Sequence, residues 1–169
     1  MTTTGTNTST YTRAHTATHI SDTLMTSMSE ILSLLGIDAG RLYRDWQQDS
    51  AAIAAWINEG SLKEVSLECH RPSGTVDPIF KFPVAYSSNG IGDSQFTVNS
   101  TLVSKYMAKL SAVPIGTTFK IFCTFHGSHT PQAGWGAGTL ASTAGLRSRS
   151  IGTLANAPHA SATIQIYRS

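Results

Sequence analysis

The sequence predicts an α+β domain, a small antiparallel sheet with helices on one face. Three observations carry the prediction. Two stretches near the start repeat apolar residues at spacings of three and four. Alternating strand-like segments fill the middle and the end. A long glycine-rich strap separates the last strand from the rest. A length of 169 residues suits one such domain with a sizeable core.

Residues 1–12, with seven threonines, form a polar, flexible arm ahead of a domain at 13–169. The first helix starts near His15 and runs to Leu35. Its face is Ile20, Leu24, Met28, Ile31, Leu32 and Leu35, and Gly36 stops it. The second runs from about Ala39 to Glu59 on Leu42, Trp46, Ile53, Trp56 and Ile57, with Gly60 as its stop. Asp49 and Ser50 compete with the helical backbone, so a bend is expected there. Two strands follow, Leu62 to Arg71 and Pro78 to Tyr86, joined by a Pro-Ser-Gly-Thr turn. Pro83 has no ladder donor and calls for a bulge or an edge position. A third helix is expected over Val98 to Ser111, and a third strand over Thr117 to Phe125.

The strap, Gly127 to Gly152, holds six glycines and no acidic residue. Loops of this length in compact domains are usually functional or disordered. The alternating segment Ala162 to Arg168 beyond it must pair with a sheet, which argues for a strap closed by a strand. That ending suggests a clamp rather than a catalytic pocket.

The bulk numbers exclude several classes. Net charge is +2 and the basic residues are scattered apart from Arg147 and Arg149, so no specific nucleic-acid footprint is expected. No run of about 18 apolar residues suggests a membrane span. The start has no basic and apolar signal pattern, so a cytoplasmic protein is the expectation. Cys69 and Cys123 sit in apolar strands and read as small buried hydrophobes.

Residues that carry chemistry form no constellation. His15 and His19 are four apart and face one way, yet no third metal ligand accompanies them. His126 and His129 in the strap are the basis for a rival reading as a small metal-dependent hydrolase. Ser94 lacks the second glycine of a nucleophile elbow. A phosphate-cradling GxxxxGK[ST] is missing, and the GWGAG run at 134–138 does not sit in a βαβ unit. Neither a catalytic residue, a metal nor a cofactor is expected. Trp46 and Trp56 read as core anchors. Trp135 stands alone among glycines, and either pins the strap to the core or contacts a partner.

Three runs carry a family resemblance: THISDTLMTSMSEILSLLGID at 18–38, RDWQQDSAAIAAWINEGSLKEVSLECHRP at 44–72, and AGWGAGTLASTAGLRSRSIGT at 133–153. In this order they resemble bacterial HORMA-domain proteins. The resemblance implies a HORMA-like fold, an antiparallel sheet against three helices, with residues 127–169 as the C-terminal safety belt. In that family the belt strands pair on one sheet edge in the open state. In the closed state the belt crosses the sheet and traps a closure-motif peptide, which adds a strand to the free edge. The implied function is a non-enzymatic adaptor of CBASS anti-phage operons. Its implied partners are the closure-motif peptide, a cGAS-like nucleotidyltransferase that it activates, and a Pch2-like AAA+ ATPase that reopens it. A second HORMA protein or self-association is a further implied partner. Carried onto this chain, the peptide edge is Thr118, Lys120, Phe122 and Thr124, and Trp135, Leu140, Leu146, Ile151 and Leu154 cover the peptide. Ala160 to Arg168 is the locking strand. The remodeller would hold the arm at Thr2, Thr3, Thr4 and Tyr11. A peptide-binding or sensing module without an enzyme partner is the second rival; an adjacent nucleotidyltransferase and AAA+ gene would favour the adaptor.

Overall fold

The computed structural model describes residues 3–87 and 96–169, with backbone alone for residues 3–11. The Thr2 expectation, the Thr3, Thr4 and Tyr11 side chains, and Ser94 lie outside what is described. Helix α1 spans Thr3–Leu35, α2 Gly40–Arg44, α3 Trp46–Asn58 and α4 Leu102–Met107. Strands are β1 Leu62–His70, β2 Val76–Tyr86, β3 Thr97–Val98, β4 Thr118–Phe125, β5 Arg147–Asn156 and β6 Ala160–Arg168. All six form one sheet in the order β3-β5-β6-β2-β1-β4, and every pairing is antiparallel.

The apolar face of α1 is buried from Ile20 to Leu35 as its spacing demands. Its backbone is helical from Thr3, well before the expected start at His15. Extending a packed helix costs far less than nucleating one, so weak Thr and Ser propensities do not end it. Both glycine stops work by one mechanism. Gly36 and Gly60 have φ of 76° and 77°. Around them Gly36 N–H donates to the Ser33 carbonyl and Ile37 N–H to Leu32, while Gly60 N–H donates to Ile57 and Ser61 N–H to Trp56. These are paired bonds that satisfy the orphan carbonyls of a helix end.

Four expectations are corrected. The second helix breaks at Asp45 (φ −98°, ψ 10°), not at Asp49-Ser50. Ser50 stays helical because its side chain meets the Ser21 hydroxyl, which also donates to the Ser50 carbonyl at 2.7 Å. Pro83 lies in an interior strand, without a bulge or an edge. It opposes Glu64 of β1, and the β2–β6 pairing skips 82–83 and resumes in the same register at Val84. The third helix covers only Leu102–Met107, because Val98 pairs with Ala155 as a strand. The strap also ends early: from Arg147 it becomes β5, so the chain finishes in a hairpin rather than a lone strand.

The core lies between the helices and one sheet face. Val65, Leu67 and Cys69 of β1, Phe80 and Phe82 of β2, and Ile164 and Ile166 of β6 are buried there with Trp56. Each such side chain contributes roughly 1.5–3 kcal/mol by leaving water.

Candidate functional site

Strand β4 ends the sheet on one side, paired with β1 and with no strand beyond it among the described residues. Its alternation sends Phe119 into the core, with Ile121, Cys123 and Phe125 packed against it. Thr118, Lys120, Phe122 and Thr124 therefore share the face turned away from the helices. Phe122 and Thr124 are half-buried, Thr118 and Lys120 exposed.

The chain after β4 is a strap, residues 126–146, whose first part lies close to this edge. It is first tied to α3. His126 N–H donates to the Ser61 carbonyl at 2.8 Å. The fully buried Trp56 donates its indole N–H to the Thr130 carbonyl at 2.7 Å. Thr130 returns the tie, its N–H and hydroxyl each 3.1 Å from the Glu59 carboxylate. His129 stacks on Phe125 at 3.5 Å between ring centroids. Trp135 then stands edge-on to Trp56 at 5.3 Å. Trp135 is thus one of the pins, which answers part of the question its isolation raised. Its indole nitrogen is buried and has no partner among the described residues.

Beyond Trp135 the strap passes to the other face of the sheet. Gly138 lies on the Phe122 ring so closely that a Cβ would sit 2.8 Å from it. A larger residue here would have to push the Phe122 ring aside. The Ala141 N–H then reaches the Glu68 carboxylate at 2.7 Å. The strap thereby loops around the free edge of β4.

Between strap and edge is a cleft of about 310 Å³ whose lining includes Arg41, Asp45, Asp49, Lys120, Phe122 and Trp135. Its floor carries mixed charge. Arg41 donates to the Phe119 carbonyl and lies 4.6 Å over the Phe119 ring. Burial, and next the nearby Asp45, push the Asp49 carboxyl above its ordinary pKa, while Arg41 pulls it down. The cleft thus offers polar, charged and apolar surface side by side. Among the described residues, no group of three His, Cys, Asp or Glu is placed to hold a metal. His15 and His19 instead meet the Phe96 ring edge-on at 5.1 and 5.3 Å.

The expected belt residues divide. Trp135 and the half-buried Leu140 lie on the strap near β4. Leu146 is half-buried at the strap's far end, just before β5. Ile151 packs against the core and Leu154 is 1% exposed within it, both on β5. Four strand spacings, about 19 Å, separate β5 from β4. A peptide on β4 does not reach these two; they lock the hairpin. Arg41, Glu59 and Glu68 escaped the sequence reading, since nothing in the local pattern distinguishes them from solvated charges.

The sequence matches the family model for Bacterial HORMA domain 2 over residues 5–169. No curated protein matches it. Among solved structures, a chain of the mitotic checkpoint complex is 10% identical with a TM-score of 0.73, the alignment covering 90% of this chain and 98% of that one. C. elegans HTP-1 bound to a HIM-3 closure motif is 15% identical with a TM-score of 0.66, covering 88% of each. A chain of the E. coli MS115-1 HORMA:CdnC:Trip13 complex is 14% identical with a TM-score of 0.62, covering 92% and 89%. At these identities the likeness is one of fold.

Proposed function

The chain belongs to the bacterial HORMA domain 2 family, and from that premise we propose that it is a non-enzymatic peptide clamp acting as a signalling adaptor. A closure-motif peptide enters the cleft as an added strand on β4. Its backbone pairs with the free edge, and its alternate side chains meet Phe122 and Thr124 on one side and the Arg41–Trp135 end on the other. Thr118, Lys120, Trp135 and Leu140 complete the contact. The strap passes over the peptide and holds it.

The observation that carries this reading is the unpaired β4 edge enclosed by the strap. Open edges invite pairing and are normally blunted or covered. Here the edge is left open inside a loop of chain with a cleft beneath it, and the buried Trp135 N–H has no acceptor among the described residues, one that a peptide carbonyl would supply. The hairpin β5–β6 occupies the opposite edge, beside β2. We take this as the closed placement of the belt, ready to hold a peptide. HTP-1, whose fold this chain shares, is bound to a closure motif, which supports peptide capture by this fold.

The E. coli complex, in which a HORMA protein is found with CdnC and Trip13, supports the partners of this reading. This chain, once closed on its peptide, activates a cGAS-like nucleotidyltransferase in anti-phage defence. A Pch2-like AAA+ ATPase pulls on the N-terminal arm, at Thr2, Thr3, Thr4 and Tyr11, and reopens the clamp.

A displayed random-peptide library panned against the full chain tests the clamp. The control is a Phe122→Ala/Trp135→Ala double variant. Deleting residues 127–169 would not serve, because it removes the core strand β6. Enrichment of a common motif by the parent chain and its loss in the variant is expected. Enrichment that is equal on both proteins contradicts a peptide held between β4 and the strap.

A further inference from the structure

Glu68 occupies an unusual place. On β1 it alternates with the core residues Leu67 and Cys69, so it belongs to the sheet face away from the helices. Such a face is ordinarily wet, and carboxylates are almost never fully buried unless paired. Yet Glu68 is 1% exposed. Its two oxygens are both taken. One is 2.9 Å from His70 Nε2, on a side chain that still reaches solvent. The other accepts the Ala141 N–H of the strap at 2.7 Å. Ser66, two residues back on the same face, has a buried hydroxyl with no partner among the described residues. The cover is therefore imposed on polar groups, and Glu68 is a group that the strap itself satisfies.

We propose that Glu68 is a latch: it fixes where the strap returns across the sheet and so acts as a positioning residue for the peptide clamp, a role that rests on the clamp reading above. The strap is rich in glycine and small residues and has little apolar surface to hold it in register. A charge-assisted bond to a backbone N–H supplies direction that apolar contact lacks. It is also reversible. When the strap lifts, the carboxylate regains water, so no uncompensated charge opposes opening. A leucine at this position would hold the strap without fixing its register, and would leave an apolar patch whenever the strap left.

Hydrogen exchange read by mass spectrometry on the peptide-free full chain tests this. In Glu68→Ala, exchange across residues 138–146 should rise about tenfold or more, the worth of one bond to a charged group. Protection of β5 and β6 should stay as in the parent. Glu68→Gln keeps an acceptor oxygen and should restore the slow exchange, whereas Glu68→Met fills similar space without an acceptor and should exchange as fast as Glu68→Ala, which a merely space-filling role does not predict. If Glu68→Ala fails to fold, Ala141→Pro removes the donor from the strap side and should speed exchange in the same segment. Parent-like exchange in the folded variant, or Glu68→Gln exchanging as fast as Glu68→Ala, overturns the latch. Because no peptide is present, a failed peptide screen leaves this result standing. A successful screen with unchanged exchange removes the latch alone.

Discussion

At one edge of the sheet, β6 lies in ladder with β2 and carries β5 and then β3 outward. At the other, β4 pairs with β1 and the ladder stops. The β6 side is built from an alternation in which Ala160, Ala162, Ile164 and Ile166 are all buried. The β4 side has half-buried rings, mixed charge and a strap threaded with glycine. The contrast shows how one sheet can be finished in cis on one side and kept unfinished on the other. The filled edge supplies stability, and the unfilled edge is where we propose that a peptide binds.

The sharpest way to break that contrast is to remove apolar volume on the filled side. Ile166→Ala should cost about 2–5 kcal/mol of unfolding free energy, the range for a fully buried aliphatic truncation. The matching change on the open side, Lys120→Ala, should stay within about 0.5 kcal/mol. Urea unfolding of the two variants makes the comparison; equal losses would mean that both edges are structural.

Trp135→Ala acts on binding more than on folding. Loss of a half-buried aromatic anchor should weaken a captured peptide by about 2 kcal/mol, some thirtyfold in Kd, while stability falls by less. Isothermal titration of the peptide set against a thermal melt separates the two effects. Glu59→Ala removes the acceptor of Thr130 on the exposed start of the strap. A loss of about 0.5–1 kcal/mol is expected, with faster exchange confined to residues 126–132.

The smallest effect is a pH dependence near the filled edge. Burial first, and then the Arg13 cation, hold the His159 imidazole below its ordinary 6.5. Above 6.5 the ring is neutral whether folded or unfolded and contributes nothing. As the pH falls through 6.5 the unfolded chain takes up the proton first, so stability is lost from there down to the lower folded value. The urea midpoint should drop between pH 7.5 and pH 5.5, and drop less in His159→Gln.

Much of this was legible in the residues. The faces of α1 and α3, the stops at Gly36 and Gly60, the alternation of β4 and the final strand read at Ala162–Arg168 all follow from spacing and glycine chemistry. Strand β5 did not. Arg-Ser-Arg-Ser-Ile-Gly carries little strand propensity, and only its pairing with β6 makes it extended, so tertiary context overrides local preference. The strand at Thr97–Val98 was missed for the same reason, and the helix expected over Val98–Ser111 is shortened to Leu102–Met107. At the site, Phe122 and Trp135 were visible as apolar residues in telling places. Trp56 was read as core, which it is, but its indole bond to the strap has no sequence signal. Glu68 was hidden because a carboxylate alternating with apolar residues looks solvated, and only the returning strap buries it.

The most direct test of the central claim is residue-resolved hydrogen exchange of the chain with and without a peptide selected in the library screen. An added strand on β4 predicts that amides in 118–125 and in the strap at 126–146 slow sharply, while those of the β2–β6 ladder change little. Slowing confined to β5 and β6, with β4 unchanged, would contradict it and place the peptide on the edge the chain has already filled.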